Sequence, residues 1–554
     1  MSILGEFLQG ISSATNFPPD QANFIFCMLL CAPLGTAFRL LLHPDRVSSN
    51  TRRAVSLFWG IALAWFCFKC TCLLDVVLIL QTLILISFSS ICYILTWLLN
   101  PASVHKYLLV VSMGFMSIAH LYRQITDFGG YTLDFTGRRK TAGPERETCR
   151  VRTRTNNKIQ PRPLMVLVQR ITYVAFSVHD GLGRDDSKLT EEQRKCRLQK
   201  VPSLLEYFSY LFHYSTILVG PVCTFRDFSD FIDGSDIRSK EPGQKEPSPL
   251  FAALRNLMVS TVCIAFVVMT GSNYPITRNG DPDFIRSSPL FWRLLYAWIS
   301  IVSVRMRYYF AFKLAEAMNN FCGLGFNGFD ENGRAKWNRI TNVNILKIEF
   351  GTSLKEVLDN WNIGTVLWLR KIVYDRVPYH RTRAVFVLSA LWHGFYSGYY
   401  MAFATCALMV EAARKVRRKY RPLFQGSHVS SRFYDLMTCA VTIFSLTFIT
   451  VPFVGLEAKF GLEFWRSMYY YGHVWSIVAF LLVSGGKSET VGKEDNKTEN
   501  MEVRNEEKDK KRNSAKENLT ELRNRVNKDM ESPNELFCNG TPNNLLKENL
   551  IVGS

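Results

Sequence analysis

The sequence lacks a cysteine framework, a metal-ligand constellation and an internal repeat, and its opening residues are not expected to form a secretory leader; each of these closes off a class of protein. Fourteen cysteines occur in 554 residues, but most lie in apolar segments: Cys27, Cys31, Cys67, Cys70, Cys72, Cys92, Cys263, Cys406 and Cys439. A thiol in such a setting behaves as a small hydrophobe, which excludes a disulfide-stapled secreted domain. Cys67-Phe-Lys-Cys-Thr-Cys72 resembles a metal loop, yet no second cysteine pair or histidine cluster completes four ligands. The first 20 residues have neither a basic start nor a compact apolar core. The first apolar segment is therefore expected to act as its own insertion signal. No repeat of the kind that transporters show in their two halves is visible.

Acidic excess is missing too. The formal net charge is +19, and residues 487–554, with 13 basic and 14 acidic side chains, contribute none of it. Nucleic-acid binding would be one reading of so basic a chain. Clusters such as Arg414-Lys-Val-Arg-Arg-Lys-Tyr-Arg421, placed directly after an apolar run, fit the loop basicity of a membrane protein facing anionic headgroups instead. No nucleic-acid partner is expected.

Long apolar runs are what the chain has in abundance. They cover Asn23–Leu42, Ala54–Phe68, Leu73–Leu99, Tyr107–Leu121, Leu250–Thr270, Pro289–Val304, Ala384–Val410, Leu436–Val454 and Tyr469–Val483. Runs of roughly 17–25 residues suit a hydrocarbon core about 30 Å thick. Mean hydropathy is only +0.02 because polar loops and a polar tail dilute them. Leu164–Val178 and Ser203–Val222 read as short buried or interfacial helices. The expected fold is all-α and polytopic, with about ten to eleven transmembrane helices.

Organisation follows from composition. Residues 1–22 form a lead-in, 23–483 the membrane domain and 484–554 a Lys/Glu/Asn-rich tail expected to be disordered and cytosolic. Arg138–Arg162 holds nine basic and two acidic residues in 25 and no aromatic residue, so it is expected to be a disordered basic insert. Arg226–Pro249 reads as a polar loop and Gly325–Phe350 as structured loop. Thr352–Val373 reads as one amphipathic helix, with Leu354, Val357, Leu358, Trp361, Val366, Leu369 and Ile372 on one face.

Two side chains in this setting bear chemistry. His393 lies in Ala384–Val410, a run with no other side chain ionisable near neutral pH, its tyrosines staying uncharged there. Titratable groups at membrane depth are costly and usually mark function, and imidazole takes and returns a proton near neutral pH. The alternative is a histidine satisfied by a helix neighbour. Asn362, in Asp359-Asn-Trp-Asn-Ile-Gly364, lies 31 residues upstream. Its carboxamide can orient a nucleophile or donate to an oxygen that becomes negative; the alternative is an N-cap or turn.

Taken together these strings resemble the membrane-bound O-acyltransferase family, within it the lysophospholipid acyltransferase branch. Asp359-Asn-Trp-Asn362 with Leu367–Arg376 resembles the family's asparagine motif, and Leu388-Ser-Ala-Leu-Trp-His-Gly394 with Gly398-Tyr-Tyr400 its histidine motif. Val178-His-Asp-Gly181, Pro202–Tyr207, Val219-Gly-Pro221, Gly323–Gly328 and Asn342–Glu349 also match in order, over about residues 20–480. Departures are Arg307-Tyr-Tyr-Phe-Ala-Phe312, Trp337-Asn338 and Ser397, where the branch has Lys…Trp, Trp-Asp and a proline. The insert at 138–162 also interrupts a string that otherwise runs from Gly137 into Pro163-Leu-Met165.

The resemblance implies an acyltransferase of the endoplasmic reticulum membrane. It would move a fatty acyl chain from acyl-CoA, a co-substrate, to the free hydroxyl of a lysophospholipid, with no metal or bound cofactor. An internal tunnel would bring thioester and hydroxyl together, with His393 as general base and Asn362 holding the acyl carbonyl or the hydroxyl. Trp361, Trp392 and Tyr374 are candidates to line the tunnel, packing being the alternative. Arg370, Lys371, Arg305 and Arg307 are candidates to meet CoA phosphates, the alternative being ordinary flanking charge.

Overall fold

The computed structural model describes residues 19–67, 75–126, 161–220, 222–238 and 246–484. The tail beyond 484, nearly all of the basic insert and Cys70 and Cys72 lie outside them. The described chain is helical, its strand-like pairing limited to the isolated bridges Phe329–Ala335 and Val343–Trp361. The principal helices are α1 (Pro19–Leu41), α2 (Ser49–Cys67), α3 (Asp75–Leu98), α4 (Val104–Thr126) and α5 (Pro161–Leu182). Next come α6 (Leu204–Leu211), α7 (Phe225–Asp233), α8 (Leu250–Thr270), α9 (Leu290–Cys322), α10 (Leu354–Asn360) and α11 (Ile363–Leu369). The last are α12 (Arg381–His393), α13 (Ser397–Tyr420), α14 (His428–Gly455), α15 (Ala458–Ser467) and α16 (Tyr471–Ser484).

Four helical segments, Asn23–Leu41, Val104–Ile125, Leu250–Thr270 and His428–Gly455, are long and apolar enough to cross a membrane. Their large side chains face outward, as Phe251, Val268 and Met269 do on α8. Hydrocarbon accepts such a face at no cost, whereas water would not. Among the described residues, Thr82–Leu98 and Tyr471–Val483 are shorter apolar helices, and two further runs depart from a simple span. Ala384–Val410 breaks between α12 and α13 at Gly394, whose φ is 113°. Pro289–Val304 is the first part of α9, whose 33 residues extend about 50 Å at ~1.5 Å per residue. That exceeds the hydrocarbon thickness.

Charged groups inside α9 are paired, as a low-dielectric setting requires. Arg305 makes a two-pronged contact with Glu349 at 2.9 and 2.6 Å, and the Tyr309 hydroxyl donates to the same carboxylate at 2.6 Å. Lys313 meets Glu316 at 2.7 Å.

Helix α5 sits at the centre, buried on all sides from Leu167 to Asp180. Its Arg170 guanidinium donates to the carbonyls of Tyr210, Leu211 and Thr216. A helix end leaves four carbonyls unmatched, and with no water nearby each costs about 1–3 kcal/mol if left unmet. Arg170 thus fixes the end of α6 to α5.

Two expectations are corrected here. Arg226–Pro249 is not simply loop: it contains α7, opened by a capping box between Thr224 and Asp227 and closed by Gly234 in a left-handed conformation. Thr352–Val373 is not one helix. It is interrupted at Trp361–Asn362 and ends in a wide π-helical turn, Arg370–Tyr374. The face-spacing of its apolar residues is real, but backbone partners from Asn342–Asn344 outcompete the helical bonds at the interruption.

Candidate active site

The interruption at Asn362 is held from outside the helix. Trp361 is extended and bridges to Val343. The Asn344 N–H donates to the Asn360 carbonyl at 3.1 Å, and the Ile363 N–H donates to the Asn342 carbonyl at 2.9 Å. Asn362 itself takes φ 50° and ψ 52°, a left-handed conformation that asparagine tolerates better than most residues. Its carbonyl opens α11 by accepting from Thr365 and Val366. Its side chain does not cap the helix. Instead the Asn342 Nδ2 donates to Asn362 Oδ1 at 3.1 Å, while Asn342 Oδ1 accepts from the Gly364 N–H at 2.9 Å.

His393 closes the neighbouring helix. It is the last residue of α12, half-buried, and Gly394 then turns the chain through a φ that a β-carbon would strain. Its ring is surrounded by aromatic faces: Trp392, Tyr399, Phe403 and Phe453 lie with centroids 4.8, 5.5, 5.4 and 5.2 Å away. Among the described residues it makes no side-chain hydrogen bond, so the helix-neighbour alternative does not account for it. Gly398 brings this wall together. Its N–H donates to the Leu456 carbonyl at 2.7 Å, and a β-carbon there would fall 2.4 Å from the Pro452 carbonyl. The Ser397 hydroxyl, where the family has proline, accepts from the Ala458 N–H at 2.8 Å.

The two helix breaks belong to packed helices. Trp368 of α11 and Trp392 of α12 meet at 6.0 Å, and Trp392 Nε1 donates to the Met165 carbonyl of α5 at 3.2 Å. A polar stripe on α5 fixes α11 and the turn after it. Gln169 bonds Thr365 at 2.9 Å, Thr172 accepts from Trp368 at 2.8 Å, Ser177 accepts from Lys371 at 2.9 Å, and Asp180 holds Arg376 through two contacts of 2.6 Å. Spacings of 3, 5 and 3 keep these residues near one face of a helix. Three hydrophobic clusters also meet here. Trp361 packs on one, Trp368 and Trp392 lie in another, and Phe453 packs on the third.

The weaker candidates separate. Trp361 is boxed by Tyr308, Tyr309 and Phe312 at 5.6–6.1 Å. Tyr374 is half-buried under the Arg381 guanidinium. Lys371 is buried against Ser177 and Tyr173, whereas Arg370 is exposed and 3.7 Å from Asp375. Arg307 is half-buried beside Gly271.

Sequence reasoning passed over two residues. Asn342 lay inside a matched string but carried no role. His120, at the end of the apolar run Tyr107–Leu121, lies inside α4 and is 5% exposed. A β-carbon on Gly394 would meet its Nδ1 at 2.9 Å, so the ring stands against the turn that follows His393. A histidine within an apolar run was the available signal, the same one that marked His393.

A helical protein with long outward-facing apolar helices, in which a histidine without a side-chain hydrogen bond among the described residues and a network-held asparagine stand at the breaks of two packed helices, belongs to the class of membrane proteins that carry polar side chains among their helices. Comparison with known proteins gives that class a name. Residues 47–451 match the MBOAT, membrane-bound O-acyltransferase family. A Drosophila melanogaster protein named lysophospholipid acyltransferase 6 is 36% identical over 84% of this chain and 61% of its own length. Human membrane-bound glycerophospholipid O-acyltransferase 2 is 35% identical over 94% of this chain and 95% of its own. Human membrane-bound glycerophospholipid O-acyltransferase 1 is 36% identical over 86% and 92%. The chain belongs to the membrane-bound O-acyltransferase family: it is a multi-pass membrane O-acyltransferase.

Proposed function

We propose that this enzyme transfers a fatty acyl chain from acyl-CoA to the free glycerol hydroxyl of a lysophospholipid in the endoplasmic reticulum membrane, remodelling phospholipids there. Lysophosphatidylethanolamine, lysophosphatidylcholine and lysophosphatidylserine are the acceptors. The observation that carries the reading is the pairing of helix breaks, with His393 free of hydrogen bonds and Asn362 held by Asn342 on the helix packed against it. Relatives named for glycerophospholipid acylation along nearly their whole length support the acceptor class.

Imidazole Nε2 or Nδ1 of His393 takes the hydroxyl proton as the lipid oxygen attacks the thioester carbonyl. The carbonyl π electrons move to oxygen, and Asn362 Nδ2 donates to that oxyanion. When the intermediate collapses the C–S bond breaks, and the proton held by His393 is returned to the departing CoA sulfur. A positioned base contributes about 10²–10⁴-fold and one oxyanion donor about 10²–10³-fold.

Ten to eleven spans around an internal tunnel would let the CoA nucleotide stay in water while the acyl chain lies in an apolar slot. Arg370 is positioned on the exposed side to meet its phosphates, and Trp361, Trp392 and Tyr374 supply apolar walls. Purified full-length protein in detergent, given labelled oleoyl-CoA and a panel of lysophospholipids, should produce diacyl product that His393→Ala abolishes. Product formation only with a sterol or peptide acceptor would overturn the acceptor assignment.

A further inference from the structure

The hydrogen-bond pattern around Asn362 settles which end of its carboxamide is presented to the reaction. A backbone N–H can only donate, so the Asn342 atom 2.9 Å from the Gly364 N–H is the carbonyl oxygen. The other end of Asn342 is therefore its –NH₂, and the Asn362 atom facing it at 3.1 Å is Oδ1. Asn362 Nδ2 is thus turned away from Asn342, and among the described residues no hydrogen bond occupies it. The register is rigid. Asn342 is 4% exposed, its carbonyl also receives the Ile363 N–H, and a β-carbon on Gly364 would lie 3.2 Å from Asn342 Oδ1.

We propose that Asn342 is a positioning residue that locks the Asn362 carboxamide with its –NH₂ towards the reacting carbonyl. Asn362 then serves as donor to the acyl oxyanion and not as acceptor for the lipid hydroxyl. This inference rests on the acyl-transfer reading above and deepens it. It assigns chemistry to a residue that touches neither substrate. It also explains why an asparagine stands at 342: a carboxamide, unlike a carboxylate, accepts from Gly364 and donates to Asn362 at once.

The test compares Asn342→Ala, Asn342→Asp and Asn362→Ala as full-length purified enzymes, with oleoyl-CoA and lysophosphatidylethanolamine, normalised to folded protein by thermal unfolding. Asn342→Ala frees Asn362 to rotate and should lower kcat about 10–100-fold with KM within about twofold. Asn342→Asp keeps the Gly364 contact, but its carboxylate cannot donate and turns Asn362 round. At pH 8 its kcat should fall further, about 10²–10³-fold, approaching that of Asn362→Ala.

Its activity relative to wild type should rise as pH is lowered towards 6, because the protonated acid again donates on one side and accepts on the other. A residue that only supported the fold would give the reverse order, with the near-isosteric aspartate milder than alanine. Unchanged kcat in Asn342→Ala, or Asn342→Asp exceeding it at pH 8, would overturn the positioning role. Full turnover in Asn362→Ala would instead overturn the reading on which the inference rests.

Discussion

Two helix breaks, on helices that pack together through Trp368 and Trp392, are built in opposite ways in this enzyme. The one at Asn362 is polar: Asn344 donates to Asn360, Asn342 accepts from Ile363 and Gly364, and a fourth bond, donated by Asn342, holds the side chain at the break. The one at His393 is apolar: a glycine turns the chain, and the imidazole is contained by aromatic faces without a hydrogen bond of its own. A group that must stabilise charge by pointing one way benefits from preorganisation. A group that must accept a proton and release it elsewhere benefits from uncommitted nitrogens. The contrast in construction fits the division of labour between donor and base proposed above.

Substitution at the base should have the largest effect. His393→Ala should lower kcat by about 10²–10⁴-fold and leave the unfolding temperature within about two degrees, since the ring holds no hydrogen bond whose partner would be orphaned. Turnover of labelled oleoyl-CoA alongside thermal unfolding checks both halves, and retained activity would break the comparison outright. Asn362→Ala should follow, at about 10²–10³-fold in kcat with little change in KM, because the donor acts where charge develops.

Gly394→Ala comes next. It combines a φ of 113° with a close approach to His120 and should cost about 1–3 kcal/mol of stability, with turnover falling as His393 is displaced. Pairing it with His120→Ala in a double-mutant cycle should recover the crowding part of the loss but not the backbone part. Additivity of the two changes would mean that His120 does not brace this turn. The smallest effect belongs to the ends of the argument. Removing residues 485–554, or joining Gly137 to Pro163, should leave kcat within about twofold of the full chain, a threshold set by ordinary surface-change scatter. Loss of expression or activity in either deletion would show that segment to be integral.

Much of the membrane character was legible because hydrophobicity is a property of composition. Leu250–Thr270 reads as a span and forms one helix long and apolar enough to cross a membrane, because its outward face carries only apolar side chains such as Phe251, Val268 and Met269. The same reading overstated Ala384–Val410, which is apolar throughout yet broken at Gly394. An apolar string says that a segment avoids water but not that it runs straight. Leu164–Val178 shows the converse. Its hydrophobicity was visible, but the stripe of Gln169, Thr172, Ser177 and Asp180 acquires meaning only beside Thr365, Trp368, Lys371 and Arg376, some 196 residues away along the chain.

The sequence by itself determined that this is a helical membrane protein and that its motifs belong to one acyltransferase family, and it singled out His393 and Asn362 as the candidates for its chemistry. Those properties are local: run length, residue type and motif order survive without knowledge of what lies beside them. Only the tertiary structure decided that Thr352–Val373 breaks at Asn362, that Asn342 orients that side chain, and that His120 stands behind His393. Each of these depends on a hydrogen-bond partner or a steric neighbour brought from a distant part of the chain. In a low-dielectric interior, where an unmet polar group costs more than a bent helix, such partners override local periodicity.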